Sequence, residues 1–146
     1  HIKHVPDLLR ALEKADVAIG SRHVPDARTE RTLARTIFSH LYNACAHMAL
    51  HLPVRDLQCG FKAAHKEAVR AILPHLEHKG FFFDTEFLAL AHHKGLAIKE
   101  VPIEWIEARA ASRKSTISLR KTSWELFKNL LALRRRLKSK PSHPPP

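Results

Sequence analysis

A chain of 146 residues, 45% of them hydrophobic, has room for one domain with a genuine core. Its formal net charge of +11 demands an anionic partner, whether nucleic acid, an anionic membrane face or a phosphorylated small molecule. No apolar run reaches the roughly eighteen residues of a membrane-spanning helix, and two cysteines, Cys45 and Cys59, make neither a disulfide framework nor a metal site, so an intracellular, reducing setting is expected.

The chain opens at His1 without an initiator methionine and runs straight into a helical pattern, which leads to the expectation of a fragment with upstream sequence. Pro6 at a first turn, followed by Leu8, Leu9 and Leu12, predicts a short amphipathic helix ending near Ala15. Residues Asp16 to Gly20, DVAIG, predict a buried strand, and Ser21 to Arg28 a polar loop. From Thr29 to Leu52 the steps between Leu33, Ile37, Leu41, Cys45 and Met48 predict a helix that buries that stripe. Arg31, Arg35 and Ser39 stand four apart, so on such a helix they share one side as a cationic ridge with a hydroxyl.

Arg55 to Lys62, RDLQCGFK, is the stretch richest in chemistry: an arginine, a carboxylate, an amide, a thiol and a glycine lie in eight positions after Pro53. This is loop composition, suited to the floor of a polar pocket where backbone approaches a ligand. Lys66 to Glu77 predicts a helix kinked or ended by Pro74. After Gly80 and three phenylalanines, Asp84 is expected to cap a helix that carries Glu86 in its first turn and closes at Gly95. Ala97 to Glu107 alternates as a half-buried strand, with Val101, Ile103 and Trp105 on one face and Pro102 marking an edge. A basic loop, Ala108 to Ser115, leads into a helix over Thr116 to Lys138, and the tail 139–146 is disordered by composition. Helix and strand alternate, so the fold class is α/β.

Five blocks in this order, DVAIGSR, the helix with Arg35 and Ser39, RDLQCGFK, FFFDTEFLALA and IKEVPIEW, resemble the C-terminal half of family-2 glycosyltransferases acting on polyprenyl phosphates, the dolichyl-phosphate glucose and mannose synthase type. The resemblance covers roughly residues 4–138. It implies part of a GT-A-like, Rossmann-type nucleotide-sugar-transferase sheet with flanking helices, the nucleotide-binding half being absent. The implied activity is inverting transfer of a hexose from a nucleotide-sugar donor to a polyprenyl (dolichyl-type) phosphate. The implied cofactor is Mg2+ or Mn2+, its Asp-x-Asp ligands in the missing half, so no metal site and no activity are expected of the fragment alone.

By the same resemblance Arg22, Arg35 and Ser39 grip the lipid phosphate, a task suited to arginine's planar fork and a directed hydroxyl. Asp56 is the catalytic carboxylate, orienting the attacking phosphate or acting as base. Gln58 and Gly60 shape the sugar-facing loop, and Glu86 lies near the active site. The segment Ser112 to Ser115, SRKS, resembles the Ser-Lys element that follows the EVP strand in relatives. Seven bases on the last helix against Glu125 suit an anionic membrane surface, which places the protein in the cytoplasm, on the cytoplasmic face of a membrane. The alternatives are a basic nucleic-acid-binding module and a non-catalytic scaffold. The core-like spacing of the aromatics and the lack of a recognition motif weigh against nucleic acid.

Overall fold

The computed structural model describes residues 2–30, 33–106 and 119–139. A 3-10 turn, Ile2–His4, leads into α1, Val5–Leu12, whose Leu8 and Ala11 are buried. β1, Val17–Ser21, follows and is buried at every position. Gly20 is required there by crowding: a Cβ would stand 3.0 Å from both the Ile103 and the Phe61 side chains, and its N–H donates to the Phe61 carbonyl at 2.8 Å.

The region predicted as loop and then helix holds a short strand, β2, Arg28–Glu30, and α2 is described over Leu33–Leu50. α2 also turns the opposite way to the prediction. Ile37, Leu41 and Met48 are 59%, 63% and 68% exposed, whereas Ser39, Tyr42, Asn43, Ala46 and Ala49 face inward. The inner face is thus made of small and hydrogen-bonding side chains. Of the predicted stripe, Cys45 is half-buried against the core, the Leu33 side chain lies outside the described ones, and Ile37, Leu41 and Met48 mark a surface.

β3, Lys62–Ala64, and α3, Lys66–Ile72, come next, and Pro74 sits in a 3-10 turn, Leu73–His75, that ends α3 as expected. α4 spans Phe83–His93. Its first turn contains Asp84, but the cap position is Phe82 and no side chain caps the helix; Asp84 is instead paired with Lys62. Gly95 closes α4 with φ 73°, and the Gly95 and Leu96 N–H groups return to the His92 and Ala91 carbonyls at 2.9 and 3.0 Å. The alternating segment is split into β4, Ile98–Pro102, and β5, Glu104–Ile106. α5 spans Leu119–Ser139.

β1 is the middle strand of a three-stranded mixed sheet, antiparallel to β3 and parallel to β4, so Pro102 does lie on an edge strand. β2 and β5 form a separate parallel pair. The main core gathers Ile19, Leu57, Ile72, Leu88, Leu130 and Leu133, where α4 and α5 close over the sheet. Among the described side chains of α5, Leu126, Leu130 and Leu133 are buried, while Trp124 and Phe127 are exposed. The described chain is mixed α/β, with a small sheet and flanking helices. The basic loop with its Ser112 to Ser115 segment, and the tail from residue 140, lie outside the described residues.

Candidate functional site

The RDLQCGFK stretch is a loop up to Phe61, and three elements fasten it. From β4, the Glu100 carboxylate accepts the Arg55 and Asp56 N–H groups at 2.9 and 3.1 Å. From α2, Asn43 Oδ1 accepts the Leu57 N–H at 3.3 Å. From α4, the Thr85 hydroxyl donates to the Leu57 carbonyl at 3.3 Å and lies 2.7 Å from the Tyr42 hydroxyl. Burial, with the Thr85 contact acting against it, leaves the Tyr42 phenol pushed up to about 12.

So held, Asp56 meets the end of β1. Arg22 Nε and Nη2 donate to its two oxygens at 2.6 and 2.7 Å, the fork-to-fork arrangement that arginine favours. The Arg22 and Gln58 backbone N–H groups donate to the same carboxylate at 3.1 and 3.2 Å. The Arg22 and Asp56 side chains are both inside, 5% and 0% exposed. Burial alone would raise the Asp56 carboxyl, but the hydrogen bonds and charge of Arg22 outweigh it and hold the group below its ordinary value. Burial likewise works against the Arg22 charge, and Asp56 more than restores it. The guanidinium carbon stands 5.4 Å from the centre of the Trp105 ring, which completes its enclosure.

Beside this pair lies a second cluster. His23 Nε2 and Ser39 Oγ are 3.2 Å apart, a hydrogen bond whose direction depends on the imidazole tautomer. The His23 ring also meets that of His40, centroids 4.6 Å apart and tilted by 60°. Ser39, itself buried, is therefore linked to this end of β1 by way of His23. The Arg35 side chain lies outside the described ones, as does Arg31. Gln58 is half-buried and Gly60 exposed, with no atom within 4 Å of where a Cβ would project, so this rim of the loop has open space before it. Cys59 is buried and free, and burial raises its thiol, in keeping with a filler and not a nucleophile.

Glu86 belongs to a different network. Its carboxylate accepts the Glu77 and His78 N–H groups at 3.2 and 2.9 Å, faces the His78 ring at 3.1 Å and pairs with Arg136 of α5. Burial would raise it, yet these partners keep it lowered. Among the described residues no group of three or more His, Cys, Asp or Glu side chains is placed to hold a metal ion. The sequence prediction missed His23, His40, Asn43 and Glu100. Only Glu100 left a trace, as a carboxylate repeated on the solvent side of an alternating strand.

No family model matches the chain. It is 35% identical over 106 residues to Glycosyltransferase AglD of Haloferax volcanii, covering 71% of this chain and 17% of that protein. It is 33% identical over 124 residues to the dolichyl-phosphate beta-glucosyltransferase of Saccharomyces cerevisiae, covering 83% and 36%. The undecaprenyl-phosphate mannosyltransferase of Micrococcus luteus is 31% identical over 114 residues, covering 77% and 47%. The class common to all three is that of the glycosyltransferases. Within it, over the matched residues, the chain is a homologue of the family-2 polyprenyl-phosphate sugar synthases, as its five sequence blocks indicated. The chain spans less than half the length of each of these relatives.

Proposed function

We propose that this chain forms the acceptor-side part of a glycosyltransferase that moves a hexose from a nucleotide-sugar donor to a polyprenyl phosphate with inversion. The observation that carries this is the buried Arg22–Asp56 pair, clamped by Glu100 next to Ser39 in a chain homologous to such enzymes. An acceptor phosphate is already anionic near neutral pH and needs no strong base. Asp56, saturated by Arg22 and two backbone donors, suits a positioning role. It fixes the strand end that presents His23 toward Ser39, while Gln58 and Gly60 form the rim offered to the sugar. The donor, and the Mg2+ or Mn2+ ion that the resemblance implies, would be held by residues other than those described, so this chain by itself is expected to transfer nothing. Supplied with its full coding sequence, the protein is expected to move radiolabelled hexose from a nucleotide sugar to polyprenyl phosphate. Absence of transfer with every common donor, Mg2+ or Mn2+ being present, would refute the proposal.

The acceptor lives in a bilayer, and two helices suit its surface. No described helix is long and apolar enough to cross a membrane. α2 exposes Ile37, Leu41 and Met48, and α5, which packs against it, exposes Trp124 and Phe127 with Lys128 over the Trp124 ring at 6.0 Å. Apolar side chains immersed among headgroups, with bases contributing about 1 kcal/mol each near anionic lipid, account for a peripheral attachment, which we assign to the cytoplasmic face. Replacing Ile37, Leu41 and Met48 together with serine is expected to lower sedimentation with anionic vesicles several-fold and to shift stability by only about 0.5 kcal/mol per site, as for other exposed positions. Unchanged sedimentation would show that α2 does not touch the bilayer.

A further inference from the structure

We infer that Thr85 is a positioning residue for Asp56, and that the first turn of α4 passes the docking of α5 on to the Asp56 loop; the catalytic half of this inference rests on the acceptor reading above. Thr85 is wholly buried, and its hydroxyl has one proton, which goes to the Leu57 carbonyl at 3.3 Å. The Tyr42 hydroxyl, 2.7 Å away, must then donate to Thr85, so a directed chain runs from α2 through α4 to the loop. The carbonyl so held belongs to the same peptide unit as the Gln58 N–H, and that N–H donates to Asp56 Oδ1 at 3.2 Å. Because the unit is planar, fixing its oxygen fixes the direction of its N–H. Thr85 thus aims a donor at Asp56 Oδ1, the oxygen that Arg22 Nη2 also contacts at 2.7 Å.

Thr85 stands between two neighbours that reach other segments. Asp84 pairs with Lys62 at the far end of the same loop. Glu86 pairs with Arg136 of α5 and accepts the Glu77 and His78 N–H groups at 3.2 and 2.9 Å. Arg136 also pairs with Glu77, which closes the network around the start of α4. Among the described residues no side chain caps this helix, the cap position being Phe82, so its first turn lacks the local anchor common at helix starts. The placement of the turn therefore depends on these longer-range contacts. Loss of the Arg136 contacts leaves Glu86 buried without its cation, and a turn that shifts to relieve it carries Thr85 along. Three successive residues of α4 in this way join α5 and α2 to the Asp56 loop.

The test uses the protein expressed from its full coding sequence. Amide exchange at Gln58 is read without substrate, and transfer to polyprenyl phosphate is read with a nucleotide sugar. In Thr85→Val, exchange at Gln58 is expected to quicken about tenfold and kcat to fall about tenfold, with KM for the nucleotide sugar unchanged. Thr85→Ser, which keeps the hydroxyl, should bring both back to within about twofold of the wild type. Arg136→Gln should quicken exchange in α5 and at Gln58 together, while the β1 amides stay as slow as in the wild type. Unchanged Gln58 exchange in Thr85→Val, or faster exchange there with wild-type kcat, would overturn the positioning role. Faster exchange in α5 with Gln58 unmoved in Arg136→Gln would overturn the coupling. If the wild type transfers no hexose while Gln58 responds as expected in both variants, the acceptor reading falls and the coupling of α5 to the loop stands.

Discussion

Asp56→Ala is expected to destabilise the fold by about 3–5 kcal/mol and to abolish sugar transfer. The substitution removes four acceptor contacts at once, two from the Arg22 fork and one each from the Arg22 and Gln58 backbones, and leaves a guanidinium buried without its counter-charge. Urea unfolding measures the first effect and the transfer assay the second. A structural role and a chemical one are separated by the double change of Arg22→Leu with Asp56→Leu. Replacing both partners by apolar groups relieves the uncompensated charge, so most of the lost stability should return. Activity should not return, because His23 is then no longer delivered from a fixed strand end. Recovery of transfer in the double variant would show that the pair only fills space.

Glu86→Gln is expected to cost about 3 kcal/mol and to loosen α5 selectively. Four groups converge on this buried carboxylate, among them Arg136, the bond by which α5 is tied to the start of α4 and to residues 77–78. Amide exchange should therefore quicken along α5 well before it does so in β1. The sign of the pH effect follows from the lowered folded values of Glu86 and Asp56. A carboxylate depressed in the native state contributes stability that is present above its unfolded value, about 4, and is lost as pH falls through the folded one. Acid unfolding should be steep below about pH 4 in the wild type and shallower in Glu86→Gln. Parallel acid profiles would remove Glu86 from the account.

Much of the layout was legible because it rests on local rules. β1 declared itself as a short apolar run, Gly95 as the residue that tolerates φ 73°, and Pro74 as a stop. What the pattern could not show was which side of α2 faces in. Ile37, Leu41 and Met48 look like a core stripe on hydrophobicity alone, but the opposite face carries the groups that fasten a loop, Asn43 to Leu57 and Tyr42 to Thr85, interleaved with the small Ser39, Ala46 and Ala49 that let the helix pack closely. The same limit hid the partner of Asp56. The neighbour in sequence is Arg55, whereas the fork comes from Arg22, thirty-four positions away, because β1 ends where the loop passes. β2 and β3 were missed for a different reason: each is three residues long and defined by its pairing, not by its composition.

The parallel pairing of β1 with β4 joins residues some eighty positions apart, from Val17 with Ile98 to Ser21 with Pro102. α1 and β1 meet within a single short stretch and can associate early, but β4 arrives only after the intervening chain has been drawn into a closed loop, an entropic step that delays long-range strands. β4 is also the strand that carries Glu100, the clamp on the backbone of Arg55 and Asp56. The Asp56 loop is therefore expected to acquire its clamped shape late in folding, and a chain that has collapsed without docking β4 holds that loop without its clamp. Completion of the fold and fastening of the loop coincide in this molecule: a copy without docked β4 lacks the arrangement that the proposed acceptor site requires.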